Sequence, residues 1–277
     1  MTWYEGVLLG FLQGATEFLP VSSSGHLVMG QELLGLHVPG MAFEAALHFA
    51  TLLSVVVAYR ERIGALLAGV ARGEREQLGY AGRLVLASVP AAIAGIGFGD
   101  FFASLFDSAF VTGVALLVTG CVVWSARAAL ARDPAGKAGV GTAIVMGLAQ
   151  AAAIVPGISR SGATVVAALW RGVDPREAAA FSFLMSVPAV GGAAILKVPE
   201  LMVGQGGGGV AAEAGGAASG VDAVSMVVLG VAAAVACATG VAAIRMFRAM
   251  LVSRSLHRFA PYLWVVGVVF LWLVSGW

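Results

Sequence analysis

Charged side chains are scarce in this sequence: Asp, Glu, Lys and Arg make up 11% of its 277 residues, where soluble domains carry about 25%. A chain so poor in charge cannot cover a folded surface of its own size with groups that water solvates well. Net charge is equally slight, at +1, and there is no basic excess to attract a nucleic acid, so none is expected as a partner. Cysteine is limited to Cys121 and Cys237, both inside apolar runs. No disulfide framework is expected, and each reads as a small buried hydrophobe. The amino terminus has no basic stretch followed by a small-residue cleavage site, so no removable signal peptide is expected. A Walker loop, a zinc-ligand cluster and a nucleotide-binding glycine loop are all missing from the motifs.

What is abundant is apolar. Hydrophobic residues make up 60% of the chain, and 38 glycines sit within apolar runs rather than in a collagen-like repeat. Small residues in such runs let membrane helices approach closely. The sequence therefore reads as an all-α, polytopic membrane protein, one membrane domain over residues 1–277. Six stretches are long enough, or nearly so, to cross about 30 Å of hydrocarbon. They are roughly Phe43–Tyr59, Leu84–Gly99, Ala109–Ser125, Ala178–Leu196, Val224–Ile244 and Phe259–Val274. A Gly/Ala-rich stretch between Gly204 and Gly220 reads as a connector without visible chemistry.

Two further apolar segments are interrupted. Glu5–Leu19 runs into Pro20-Val21-Ser22-Ser23-Ser24-Gly25-His26 and resumes to about Leu34. Thr142–Val155 runs into Pro156-Gly157-Ile158-Ser159-Arg160-Ser161-Gly162 and resumes as Ala163–Trp170. Each is a span with a loose end or a re-entrant helix–loop–helix, because irregular backbone at membrane depth survives only where protein or a polar cavity satisfies it. Taking both as re-entrant and the other six as crossing places 14 of the 16 basic residues on one side. By the positive-inside rule that side is cytoplasmic, with both termini outside. A shift of 137 residues supports the same topology: it aligns Gln13 with Gln150, Ser22 with Ser159, Ser24 with Ser161 and Gly25 with Gly162. Each half, about 1–134 and 138–277, then holds one broken segment and three spans. Three is odd, so the second half is inverted relative to the first and the two breaks meet from opposite faces.

Ionisable groups at membrane depth are functional candidates by default. Glu17 lies in the first broken segment, four residues after Gln13 and so on the same helix face. Arg160 lies in the second break and His26 just after the first. Glu17 and Arg160 also admit a structural reading, as an ion pair or helix-end cap. A polar cavity holding Glu17, His26, Arg160 and the hydroxyls of Ser22, Ser23, Ser24, Ser159 and Ser161 suits a phosphorylated substrate. Arginine offers a rigid fork of donors to phosphate oxygens, and helix N-termini favour anions. Part of these serines read as ordinary N-caps. Glu44 and His48, four residues apart, extend the cavity or form a structural pair. Broken helices meeting at the midplane are equally a transporter arrangement. On the residues alone, a transporter or flippase of an anionic lipid or small anion stands beside a hydrolase.

Two motifs, Gln13-Gly-Ala-Thr-Glu17-Phe-Leu-Pro-Val-Ser-Ser-Ser-Gly-His26 and Pro156-Gly-Ile-Ser-Arg160-Ser-Gly-Ala-Thr164, closely resemble those of the bacterial undecaprenyl-diphosphatase family of the bacitracin-resistance type. The likeness extends in length and motif order over essentially the whole chain, including Phe181-Ser-Phe-Leu. It implies an inner-membrane enzyme, facing the periplasm or cell exterior, that removes the terminal phosphate of undecaprenyl diphosphate and so recycles the lipid carrier of cell-wall precursors. The family's catalytic glutamate falls on Glu17, its essential histidine on His26 and its essential arginine on Arg160. Its motif serines fall on Ser22, Ser23 and Ser159, with Thr164 closing the second motif. The resemblance also implies a divalent cation, Mg2+ or Ca2+, with Glu17 as its ligand; it leaves the oligomeric state open, a homodimer included. Some members carry glutamate where this chain has Gln13, and some carry one at the position of Ala180, for which Glu177 is no assured substitute. The attacking atom stays open among His26, Ser23 activated by His26 or Glu17, and water.

Overall fold

A computed structural model describes residues 2–27, 41–106, 108–189 and 226–275, and these are helical apart from turns. The 204–220 connector, Lys197 and the side chain of Glu44 lie outside the described residues. Helix α1 (Trp3–Phe18) opens with a reciprocal cap, in which the Glu5 carboxylate accepts from the Thr2 amide and the Thr2 hydroxyl from the Glu5 amide. It stops just short of Pro20, which has no N–H to continue the ladder. A short helical stretch, α2, covers 23–27. Then come α3 (Met41–Ala58), α4 (Arg60–Ala71), α5 (Arg75–Gly97), α6 (Gly99–Phe106) and α7 (Ala109–Leu130). They are followed by α8 (Val140–Ala152), α9 (Arg160–Trp170), α10 over 175–189, α11 (Met226–Val252) and α12 (Phe259–Val274).

The protein is a multi-pass membrane helical bundle. Among the described residues four helices, α5, α7, α11 and the segment Leu256–Val274, are long and apolar enough to cross a bilayer. The other two expected spans, Phe43–Tyr59 and Ala178–Leu196, fall on α3 and α10, each of which runs into residues outside the described set. Large apolar side chains such as Ile96, Phe110, Val265 and Trp272 face outward. An apolar exterior of that extent calls for lipid rather than water as its solvent.

The centre is α10, whose residues 178–185 are buried on every side. Its Phe183 ring meets Phe18 of α1 and Phe247 of α11 edge-on, each at a centroid distance of 5.4 Å. Those contacts lock the end of α1, and with it Glu17, to the middle of the bundle. The α1–α11 interface is built on glycine. Gly6, Gly10 and Gly14 recur every fourth residue, and a Cβ on Gly10 would overlap the Ala232 carbonyl. Gly10→Ala is therefore expected to destabilise the protein by about 1–3 kcal/mol, seen as a lower thermal midpoint in mild detergent. An unchanged midpoint would mean that the two backbones have room to spare.

Two stretches depart from the sequence expectation. Residues 60–83, expected as a loop, are largely helical as α4 and the start of α5, interrupted near Gly73, whose φ is +72°. Their Ala, Leu, Gln, Glu and Arg content favours helix, but a search for unbroken apolar runs passes over a helix that carries charge. Helix α11 likewise continues past Ile244 to Val252, carrying Arg245 and Arg248.

Candidate active site

Both breaks have a local cause and a specific fastening. In the first, the chain leaves α1 at Leu19, turns through Pro20 and Val21, and sets Ser22 at φ +68°, a left-handed conformation uncommon for a side-chain-bearing residue. That turn points Ser23, the first residue of α2, back toward α1. In the second, Gly157 takes φ +95° against the Thr112 carbonyl, where a Cβ would collide. Thr119 on α7 pins this loop twice: its hydroxyl donates to the Gly157 carbonyl at 2.9 Å and accepts from the Ser159 amide at 3.2 Å. Ser159 then caps α9 by accepting from the Gly162 amide. The Ser161 hydroxyl donates to the Leu19 carbonyl at 3.1 Å, and Ser159 reaches the same oxygen at 3.5 Å. The second break is thus fastened to a carbonyl of the first, which also accepts from the Val21 amide at 2.8 Å.

The Glu17 carboxylate sits at the junction. One oxygen accepts from Arg160 Nη2 at 2.8 Å. The other accepts from Ser23 Oγ at 2.6 Å and from Gln13 Nε2 at 3.1 Å, with His48 Nδ1 at 3.7 Å. Glu17 and Arg160 side chains are only 10% and 19% exposed. Such a pair is retained at this depth only with hydrogen bonds on its remaining lone pairs and protons, which Ser23 and Gln13 supply on the carboxylate side. On the arginine side the accounting is incomplete. Arg160 Nη1 is buried and has no hydrogen-bond partner, and neither has Gln13 Oε1. A buried donor and a buried acceptor without partners cost about 1–3 kcal/mol each, and here they flank one carboxylate.

His26 lies one turn beyond Ser23 but is held by other groups. Its Nδ1 is 2.8 Å from the Ser22 carbonyl and its Nε2 is 2.5 Å from the Tyr262 hydroxyl, with the two rings stacked. A carbonyl only accepts, so Nδ1 carries the proton and the Nε2 lone pair receives the phenol O–H. Neither Glu17 nor Arg160 is among its hydrogen-bond partners. His26 is therefore oriented by Ser22 and Tyr262 rather than by Glu17. Nothing in the sequence around Tyr262 on α12 marks it as more than an interfacial aromatic.

The remaining sequence candidates divide. Gln13, Ser23 and His48 join Glu17 and Arg160, and His48 donates nothing to Gln13: the Gln13 amide nitrogen, 3.2 Å from Nδ1, is the donor. Ser22 and Ser24 hydroxyls bond each other at 3.3 Å beside the turn. Ser159, Ser161 and Thr164 are buried in fastening roles, Thr164 between the Arg160 carbonyl and Ser182 on α10. Glu177 is engaged elsewhere, 2.6 Å from Arg62 beneath Tyr80, and so does not stand in for an acid at buried Ala180.

With this geometry in place, comparison with known proteins is decisive. The family model described as bacitracin resistance protein BacA matches residues 6–269. The chain belongs to that family. An undecaprenyl-diphosphatase of Desulforapulum autotrophicum is 36% identical over 97% of both chains. Those of Desulfosudis oleivorans and Syntrophotalea carbinolica are each 38% identical, over 97% and 98% of both chains. BacA membership thus extends over both broken segments and every helix between them, so the matched region includes all the residues gathered around Glu17.

Proposed function

We propose that this protein hydrolyses undecaprenyl diphosphate to undecaprenyl phosphate and inorganic phosphate. The observation that carries the reading is the meeting of Ser23, Glu17 and Arg160 from two separate chain breaks, with one arginine nitrogen buried and unpaired. The curated relatives, which bear the name undecaprenyl-diphosphatase over nearly their full lengths, support it.

The topology that goes with it has six crossing helices and two re-entrant segments in inverted halves of about 1–134 and 138–277. The termini and the site face outward from the cytoplasm. Support comes from the one-sided distribution of basic residues and from the direct fastening of the second break to Leu19 of the first. The isoprenoid tail stays among lipid-facing helices while the diphosphate enters the polar junction.

In the chemistry we propose, Ser23 Oγ attacks the terminal phosphorus as its proton passes to Glu17 Oε2, with which it already shares a hydrogen bond. The bond from phosphorus to the bridging oxygen breaks, undecaprenyl phosphate departs, and a phosphoserine is left for water to hydrolyse. Arg160 Nη1 takes an equatorial phosphate oxygen, helped by the positive N-terminal end of α9. In the second step His26, with Nε2 unprotonated, takes a proton of the attacking water, the bond from phosphorus to Ser23 Oγ breaks, Glu17 returns its proton to that oxygen, and inorganic phosphate departs. Releasing Nε2 from Tyr262 is part of that step. Tyr262→Phe, which keeps the ring and removes the hydroxyl, is expected to change kcat by about 3–10-fold at nearly constant KM. An unchanged kcat would remove Tyr262 from the mechanism.

A divalent cation fits the donors present, though sparingly. Among the described residues no group of three or more His, Cys, Asp and Glu gathers. Small hard cations are nonetheless held by one or two carboxylates together with substrate phosphates. Glu17, and Gln13 through its unpaired Oε1 after an amide turn-over, would hold the ion. When bound, it would neutralise charge on the diphosphate oxygens.

The decisive assay is phosphate release from C55 diphosphate by pure protein in detergent, followed by acid quench of a rapid reaction. A phosphoenzyme that survives acid and is lost in base identifies phosphoserine. An acid-labile one would transfer the attack to His26, and absence of phosphate release would overturn the hydrolase reading.

A further inference from the structure

Away from Glu17, arginines at the start of α10 and the far end of α11 gather around a second cavity. Arg176 at the start of α10 and Arg245 and Arg248 near the end of α11 line one cavity of about 520 Å³, together with Ala249, Val252 and Ser253. No acid lines it. Two neighbouring arginines each have a carboxylate, Arg62 with Glu177 and Arg254 with Asp133. Among the described residues none of the three in the cavity has one within ion-pair distance. The nearest in sequence, Asp174, is turned to the backbone amides of Arg176 and Glu177, and Arg248 rests over the Tyr59 ring. Three guanidinium groups facing one space repel each other unless an anion lies between them.

Depth and surroundings identify the anion. From Met226 to Arg245 the helix advances roughly 29 Å at 1.5 Å per residue, about one hydrocarbon thickness. With the start of α11 at one membrane surface, that length brings Arg245 and Arg248 to headgroup level at the other. They also terminate an exposed apolar stripe on α11: Val231, Ala234, Ala238 and Ala242 face outward at helical spacing, and Arg245 is the next residue of that stripe. The cavity continues it through Ala249 and Val252. A ligand with a long apolar chain along the stripe and a phosphate in the cavity satisfies both features. A free anion uses only the second. None of the residues gathered around Glu17 lines this cavity, and the 11-residue helix α9 stands in the chain between Arg160 and the turn that leads to Arg176.

We propose that this cavity binds the phosphate head of an anionic glycerophospholipid, with an acyl chain laid along α11. Guanidinium groups suit this role because their planar forks donate to phosphate oxygens in pairs, and basic recesses between membrane helices hold such heads. The test uses the full chain in neutral detergent, with thermal unfolding followed after addition of dioleoyl-phosphatidylglycerol, dioleoyl-phosphatidylcholine or inorganic phosphate. Phosphatidylglycerol is expected to raise the midpoint by roughly 3–5 °C and the other two to leave it in place. Arg176→Gln combined with Arg245→Gln and Arg248→Gln should abolish the shift while hydrolysis continues at the wild-type rate. If the triple variant does not fold, each single variant should show a reduced shift. Native mass spectrometry should find phosphatidylglycerol retained by the wild type and lost from the variant. An equal response to phosphatidylcholine, an equal response to inorganic phosphate, or a shift that survives all three substitutions would each overturn the proposal. So would a lipid-independent dimer that buries the α11 stripe.

Discussion

Arg160→Lys is expected to lower kcat by about 10²–10³-fold, the usual effect of losing one well-placed donor to a developing oxyanion, while the protein keeps its thermal midpoint. The two halves of that expectation come from different atoms of one side chain. Nη2 holds Glu17 at 2.8 Å, and an ammonium in the same place can still pair with the carboxylate. Nη1 is buried without a partner, and lysine has no second nitrogen to offer. The substitution therefore separates the ion pair, a matter of stability, from the phosphate contact, a matter of rate. Steady-state kinetics beside a thermal melt would read both. Near-wild-type turnover would mean that Arg160 serves only as a counter-ion to Glu17. Loss of the fold along with the rate would mean that the whole fork is needed to fasten the breaks. Arg160→Ala cannot make this distinction, because it leaves Glu17 buried without its cation, a change costing about 3–5 kcal/mol.

The parts of this site that could be read from sequence are those that violate the membrane pattern. Glu17 and Arg160 stand out because charge at that depth is expensive, and the Pro20 and Pro156 breaks because proline, glycine and serine interrupt apolar runs. The same logic yields the helical class and the positions of α7, α11 and α12. It fails where a residue conforms to its surroundings. Tyr262 is an unremarkable aromatic in an apolar helix and reaches His26 only because α12 packs beside the first break, 236 residues later in the chain. Thr119 is one of three hydroxyl residues in α7, and only the folded loop makes it the clasp of the second break. Serine is ambiguous by chemistry: Ser23 and Ser161 have the same hydroxyl in matching motifs, yet one meets a carboxylate and the other a backbone carbonyl. Pairing also hides from sequence. Glu177 is one turn from Ala180, but Arg62 on α4, a helix that apolar periodicity does not reveal, has claimed it.

Ser23→Ala should reduce phosphate release by at least roughly 10³-fold if Ser23 is the attacking group, and the size of the loss is itself diagnostic. The Ser23 hydroxyl is 2.6 Å from Glu17 Oε2, a donor already aligned with the base that would receive its proton. Were His26 the nucleophile, the same substitution would remove only one hydrogen bond from a carboxylate that keeps Arg160 and Gln13, and the rate would fall by about 10-fold. The two mechanisms thus differ by two orders of magnitude in one measurement. The position of His26 favours the larger loss. Its Nε2 is occupied by Tyr262, and its Nδ1 proton is held by the Ser22 carbonyl, so direct attack would require breaking the 2.5 Å bond before phosphorus is reached. Ser23 needs no such rearrangement. Ser23→Cys supplies the control: a thiol in the same place restores a nucleophile of similar reach, so partial recovery of release, with a thiophosphate adduct on that residue, is expected alongside inactivity of the alanine variant. Equal, mild loss in both variants would return the attack to His26 or to water and leave Ser23 as a buttress of Glu17.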